Sequence, residues 1–202
     1  MQSYLFFWDK LNKSNYYLEL SIENADKPLD DRLVYFLSND LISDGGQWDM
    51  VVNVLEVPSP NTRYLIHVCS PLFVQQYGVV PKAIYPESYS SSSSGVLNQL
   101  LRTKLREHAI ILRELYASLK ATNLTQEAIL RTVRAKKEDL MKEVYTIMTA
   151  TLGPPPSADK KFVFDYCRKD GKPGRWEGTP IEFYKVCVSG TRNFLSASCI
   201  TS

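Results

Sequence analysis

Apolar residues recur at helical spacing over residues 2–20, where Leu5, Trp8, Leu11 and Asn15 fall on one face with Tyr4, Phe7 and Leu18 beside it. The pattern predicts a helix whose aromatic cluster packs into a core. Asp26-Lys27-Pro28 marks a loop. Asp30 or Asp31 then caps a second predicted helix, Leu33 to Leu41. Trp48, Val51, Val52 and Leu55, at i, i+3, i+4 and i+7, predict a short amphipathic helix starting from the Gly45-Gly46 turn and stopping at Glu56.

Residues 57 to 76 lack this periodicity: Pro58 and Pro60 cannot continue a helix, and Tyr64 to Val68 reads as a strand. Tyr77-Gly78 is a turn, Val79-Val80-Pro81 an extended apolar piece, and Ser90 to Ser94 a flexible hinge. Residues 96 to 151 carry the strongest helical signal. Leu97, Leu100, Leu101, Leu105, His108, Leu112 and Leu115 form one stripe, and Leu130, Val133, Val144, Ile147 and Met148 form a second. Asn123-Leu124-Thr125 separates them, with Thr125 as the cap, so a helical hairpin is predicted. Gly153 and three prolines end it. A strand at Phe162 to Tyr166, a turn at Asp170 to Gly174, and a helix with Thr179 as cap and Pro180 at its first position complete the chain.

Composition adds little. The 202 residues are 44% hydrophobic and 23% charged, which is globular, and the net charge of +2 makes no case for nucleic acid. Within 96 to 151 there are ten basic and six acidic residues, read as a solvated face. No apolar run reaches the roughly 18 residues of a membrane helix, and Asp9 and Lys10 interrupt the opening apolar stretch, so neither membrane nor secretion is expected. Cysteines 69, 167, 187 and 199 form no CxxC pair, so no metal site, disulfide framework or cofactor is expected, and a reducing, cytoplasmic setting is the default. His108 reads as a packed histidine. His67 and Cys69 would share a face of a strand, but the segment is bounded by prolines and offers no oxyanion donors.

Several long strings in collinear order change the picture. Gln2-Ser3-Tyr4-Leu5-Phe6-Phe7-Trp8-Asp9-Lys10, Asp44-Gly45-Gly46-Gln47-Trp48-Asp49-Met50, Tyr77-Gly78-Val79-Val80-Pro81-Lys82, Tyr85-Pro86-Glu87-Ser88-Tyr89, Leu152-Gly153-Pro154-Pro155 and Thr179-Pro180-Ile181-Glu182-Phe183-Tyr184 resemble segments of the bleomycin hydrolase branch of the papain-like cysteine peptidases, called aminopeptidase C in bacteria. The resemblance covers residues 2 to 56 and 77 to 187. It implies an α+β fold, part of a papain-like domain: a mostly helical lobe within 1–95, a helical insertion at 96–151 and a strand-turn-helix element at 152–188. Residues 57–76 and 189–202 depart from the family's pattern, and both are read as translated intron sequence or gene-model error. Val57 can begin with GT and Gln76 can be CAG, as splice ends require.

The resemblance also implies a site. The family's Gly-Gly backbone lines the substrate cleft, which makes Gly45 and Gly46 the candidates here; a bare tight turn would need the same two residues. The family's reactive Cys, followed by Trp and preceded by an oxyanion Gln, lies upstream of these residues, and its Asn-Ser-Trp-Gly string lies downstream. Neither string occurs in the 202 residues, so no catalytic residue is assigned and the chain alone is expected to be inactive. The implied partners are peptide substrates of the full-length protein and a hexameric homo-oligomer. Two other readings stand beside this: a non-catalytic interaction module, and nucleic-acid binding by the basic hairpin, against which the small net charge argues.

Overall fold

The computed structural model describes residues 2–32, 34, 35, 77–122, 124–167 and 171–188. The predicted helices Leu33 to Leu41 and Trp48 to Leu55 fall mostly or wholly outside these, as do the predicted strand Tyr64 to Val68 and the segments 57–76 and 189–202. The elements, in order, are α1 (Gln2–Glu23), α2 (Tyr89–Ser92), α3 (Gly95–Lys120), α4 (Gln126–Leu152), β1 (Phe162–Cys167), β2 (Pro173–Gly178) and α5 (Pro180–Val188). They form two units: 1–9, 45–92 and 154–202 in the first, 10–44 and 93–153 in the second.

In the first unit, the opening turns of α1 contribute Tyr4 and Leu5 to a core with Val79, Val80, Tyr85, Phe162 and Phe183. The antiparallel pair β1–β2, in register from Phe162 opposite Gly178 to Cys167 opposite Pro173, brings Phe162 and Trp176 onto Phe183 of α5. The ring centroids of Trp176 and Phe183 lie 4.9 Å apart, within the range in which edge-to-face rings attract. Thr179 and Glu182 close a capping box at the start of α5. The Thr179 N–H donates to Glu182 Oε2 at 2.8 Å and the Glu182 N–H donates to Thr179 Oγ1 at 3.3 Å. The Thr179 amide holds the Glu182 carboxyl below its usual range. Thr179→Ala is expected to cost about 1 kcal/mol in urea denaturation.

In the second unit, α3 and α4 form the predicted hairpin. Leu97, Leu101, Leu105, His108 and Leu112 of the α3 stripe are buried. Leu100 is exposed, because the buried face passes instead through Asn98, Ala109 and Tyr116. On α4 the buried positions are Ile129, Val133, Lys137, Leu140, Val144, Met148 and Leu152. Thr125 Oγ1 accepts from the Ala128 N–H at 3.3 Å, as the predicted cap requires, and Gly153 ends α4 at φ +85°. Asp31 is the cap of the next segment: its Oδ1 accepts from the Val34 N–H at 3.3 Å.

The boundary between the two units falls within Ser90 to Ser94, between Ser92 and Ser93. Ser88 receives the N–H groups of Ser91 and Ser92, closing the turn α2, and Ser94 is the N-cap residue of α3. Serine hydroxyls that bond the neighbouring backbone stabilise such turns. One expectation fails: α1 is not buried on a single face. Asn15 is exposed, while Ser3, Asp9, Lys10, Lys13, Ser14 and Ser21 are buried together with the aromatics. Ser14 and Ser21 satisfy their hydroxyls on the carbonyls of Lys10 and Tyr17, at 2.7 and 2.8 Å, so the helix is buried without orphaning them.

A buried ion pair crosses the second unit. Lys137, only 6% exposed, donates to Glu19 Oε2 at 2.7 Å, and Arg134 Nε donates to Oε1 at 2.7 Å. Burial alone would raise the Glu19 carboxyl, but the hydrogen bonds from Lys137 and Arg134 outweigh it and hold the carboxyl low. A depressed carboxylate stabilises the fold above its unfolded value, and that contribution is lost as pH falls through the folded value. Glu19→Gln is therefore expected to lower the denaturation midpoint at pH 7. The difference from wild type should begin to narrow at about pH 4, where ordinary carboxylates protonate, and close only below the depressed value of the folded state.

Candidate functional site

Gly45 and Gly46 lie outside the described residues, as do His67, Cys69 and Cys199; Cys187 falls in α5, but its side chain is not described. The turn Tyr77 to Pro81 belongs to the same unit of the chain. Gly78 adopts φ +69°, and the Val79 N–H donates to the Pro180 carbonyl at 3.1 Å. A Cβ on Gly78 would lie 2.1 Å from the Pro180 carbonyl carbon and 2.2 Å from its oxygen. The turn thus sits directly on the first peptide of α5, at a place where only hydrogen fits.

Two aromatics of α1 fix the other side of this turn. Trp8 stacks on Tyr77 with centroids 4.0 Å apart and planes 17° from parallel. The Tyr4 hydroxyl donates to the Tyr77 carbonyl at 2.9 Å. Burial pushes the Tyr4 phenol up to about 12 and raises that of Tyr77, so both remain neutral in ordinary buffers. The Tyr4 phenol thus keeps its proton for the bond to the Tyr77 carbonyl. Tyr4→Phe is expected to cost about 1–3 kcal/mol by leaving a buried carbonyl unmatched, read from the shift of the urea midpoint.

Among the described residues, the remaining chemistry-bearing side chains lie in packed or structural settings. His108, 1% exposed, bonds Glu143 Oε2 through Nε2 at 3.0 Å, and its Nδ1 has no hydrogen-bond partner among the described residues. Lys104 and His108 together hold the Glu143 carboxyl low, Lys104 having the larger effect. Sequence spacing could not show this carboxylate, which comes from the facing helix 35 positions away. The histidine is packed, as expected, with an acid rather than a thiol beside it. Cys167 is exposed at the end of β1. Among the described residues no three acidic, histidine or cysteine side chains group as metal ligands, and no helix is long and apolar enough to cross a membrane.

The basic excess of the hairpin is largely matched by acids. Lys104 pairs with Glu107 and Glu143, Lys120 with Asp26, Arg131 with Glu127, and Lys142 with Asp139. Arg134 and Lys137 pair with Glu19, so at least six of the hairpin's ten basic residues have an acidic partner among the described residues.

Comparison with known proteins supplies what the geometry leaves open. The Peptidase C1-like family matches residues 1–59 and 67–195. The interval outside the match is thus 60–66, narrower than 57–76, and the match runs beyond Val188. Aminopeptidase C of Streptococcus thermophilus is 41% identical over 188 residues, covering 93% of this chain and 36% of that protein. Human (Homo sapiens) bleomycin hydrolase is 33% identical over 204 residues, covering all of this chain and 38% of that protein. The crystal structure of PepW from Lactobacillus rhamnosis HN001 superposes with a TM-score of 0.73 at 39% identity, over 95% of this chain and 36% of that one. The chain therefore spans little more than a third of the length of these relatives.

Proposed function

The chain belongs to the Peptidase C1-like family, and from that premise we propose that it is the non-catalytic part of a cysteine aminopeptidase. In this reading its residues build one wall of the peptide cleft, while the thiol nucleophile and its histidine base come from sequence outside the 202 residues. The observation that carries it is the match to aminopeptidase C over 93% of the chain, combined with the absence of any Cys-Trp or Asn-Ser-Trp string within it. Acyl transfer needs a thiolate and a base within hydrogen-bond reach, and neither the Cys-Trp nor the Asn-Ser-Trp string of the family occurs in these residues.

Gly45 and Gly46 are the proposed cleft backbone, where a missing Cβ lets a substrate main chain come close. Residues 1–95 and 152–188 belong to the papain-like lobe, and the α3–α4 hairpin, within 96–151, is an insertion on it. The substrates of the whole protein are peptides with a free N-terminus. Its setting is the cytoplasm, and it works as a homo-oligomer without a cofactor.

The test is release of the N-terminal residue from an aminoacyl-coumarin. The 202-residue chain is expected to give no thiol-dependent turnover. The same residues carried in a longer reading frame containing a Cys-Trp and an Asn-Ser-Trp string are expected to turn over and to be silenced by iodoacetamide. A longer frame that folds and stays inert, or turnover by the short chain, would sink the reading.

A further inference from the structure

The second unit holds a cleft of about 190 Å³ that the peptidase reading does not use. Its walls are the end of α1 (Tyr17, Ser21, Asn24), the following loop (Leu29, Val34) and one face of α3 (Arg106, Ala109, Ile110, Arg113). At about 30 Å³ per water it has room for some six waters, or for one small organic molecule.

Two polar groups of the α1 wall are committed to the helix's own backbone. Ser21 Oγ donates to the Tyr17 carbonyl and Asn24 Nδ2 donates to the Leu20 carbonyl, both at 2.8 Å. What remains facing the space is mostly apolar, and its rim is exposed hydrocarbon, with Leu29 68% and Ile110 51% exposed. Covering such surface is favourable in proportion to its area.

One charge is fixed in this apolar setting. Arg113 donates through Nη1 to the Asn24 carbonyl at 3.0 Å and through Nη2 to the Lys27 carbonyl. Both acceptors are neutral. The neighbouring Asp26 carboxylate is taken by Lys120 at 2.5 Å and by the Tyr116 hydroxyl at 2.9 Å, and it feels the charge of Arg113 as well, so it offsets that charge only in part. None of the described residues lining the cleft is acidic. A guanidinium presents five N–H donors, and two are committed here.

We infer that this cleft binds a small carboxylate with an apolar body, its carboxylate on Arg113 and its hydrocarbon between Leu29, Val34 and Ile110. A free amino acid fits less well than its deaminated counterpart, because no described residue lining the cleft is an anion that would pair with an ammonium group. The uncharged alcohol of the same shape lacks the ion pair.

The test uses the 202-residue chain and 3-phenylpropionate as the probe, with binding read by calorimetry and by the shift of the thermal midpoint. Saturable one-to-one binding at millimolar or lower concentration is expected. 3-Phenylpropanol and phenylalanine are expected to bind about tenfold more weakly or worse, the ordinary loss when a hydrogen bond to a charged group is missing or a charge is left unmatched. Arg113→Met keeps the aliphatic stem and removes the cation, and is expected to reduce the preference for the acid over the alcohol to near unity. Because Arg113 also ties down the loop, Ile110→Glu provides a second variant: an exposed position given a negative charge, expected to abolish binding with the helical circular dichroism unchanged. No saturation by 10-millimolar probe (roughly the weakest affinity such a small ligand gives a formed site), equal binding of acid and alcohol, or full binding by Ile110→Glu would each overturn the assignment.

Discussion

Gly78→Ala is expected to unfold the unit built on the Tyr77 turn. Alanine at φ +69° pays about 1–2 kcal/mol for the left-handed conformation alone. The larger effect is steric. The new methyl would sit 2.1 to 2.3 Å from three backbone atoms, the carbonyl carbon and oxygen of Pro180 and the nitrogen of Ile181. No rotamer change relieves a clash with backbone. The turn must move off α5, which breaks the Val79 to Pro180 hydrogen bond and uncovers Val79 and Val80, both fully buried. The combined loss should be at least about 4 kcal/mol, in the range reserved for core disruption and comparable to the whole stability of a marginal domain. Gly171 is the control. It has φ +79° but nothing within 4 Å of its Cβ position, so Gly171→Ala should cost only the conformational part, about 1–2 kcal/mol. Urea denaturation followed by tryptophan fluorescence separates the two. Equal, small losses would mean that the close approach to Pro180 does not hold in solution.

The second large effect concerns activity. In a longer, active form of the protein, Gly46→Val is expected to lower kcat/KM by about a hundredfold, the usual consequence of pushing a reacting group about 1 Å from its productive position. A β-branched side chain would occupy the space through which a substrate main chain reaches the Gly45-Gly46 backbone. The thermal midpoint distinguishes this from a folding defect. A variant that retains its midpoint and loses turnover supports the cleft assignment. Retained midpoint with unchanged kcat/KM supports a bare tight turn instead.

Much of the fold was readable because local rules and tertiary packing agree. The α3–α4 hairpin shows this: its stripes, the Thr125 cap and the Gly153 terminus coincide with the observed helix ends. The capping of α5 by Thr179 was equally plain. What could not be read was set by distant partners. Lys137 belongs by type to a solvated face, yet it is buried because Glu19, 118 positions earlier, receives it. His108 gave no sign of Glu143. The Tyr77-Gly78 turn was evident, whereas the need for glycine there arises from Pro180, which approaches from the far end of the chain. The serine run has the composition of a linker, and its hydroxyls also bond the local backbone, which composition does not show. The candidate site was legible only through resemblance: two glycines have no side-chain chemistry of their own, and no Cys-Trp string occurs in the chain to mark the place.

The measurement that bears most directly on the central claim is long-read sequencing of transcripts through the region encoding residues 1–202. If these residues are the non-catalytic part of a cysteine aminopeptidase, a single reading frame should continue to a Cys-Trp string upstream and an Asn-Ser-Trp string downstream, with the stretch around 60–66 showing whether it is spliced out or kept. Transcripts that encode the 202 residues alone, with stop codons in frame on both sides, would contradict the account and would make a binding role the question to pursue.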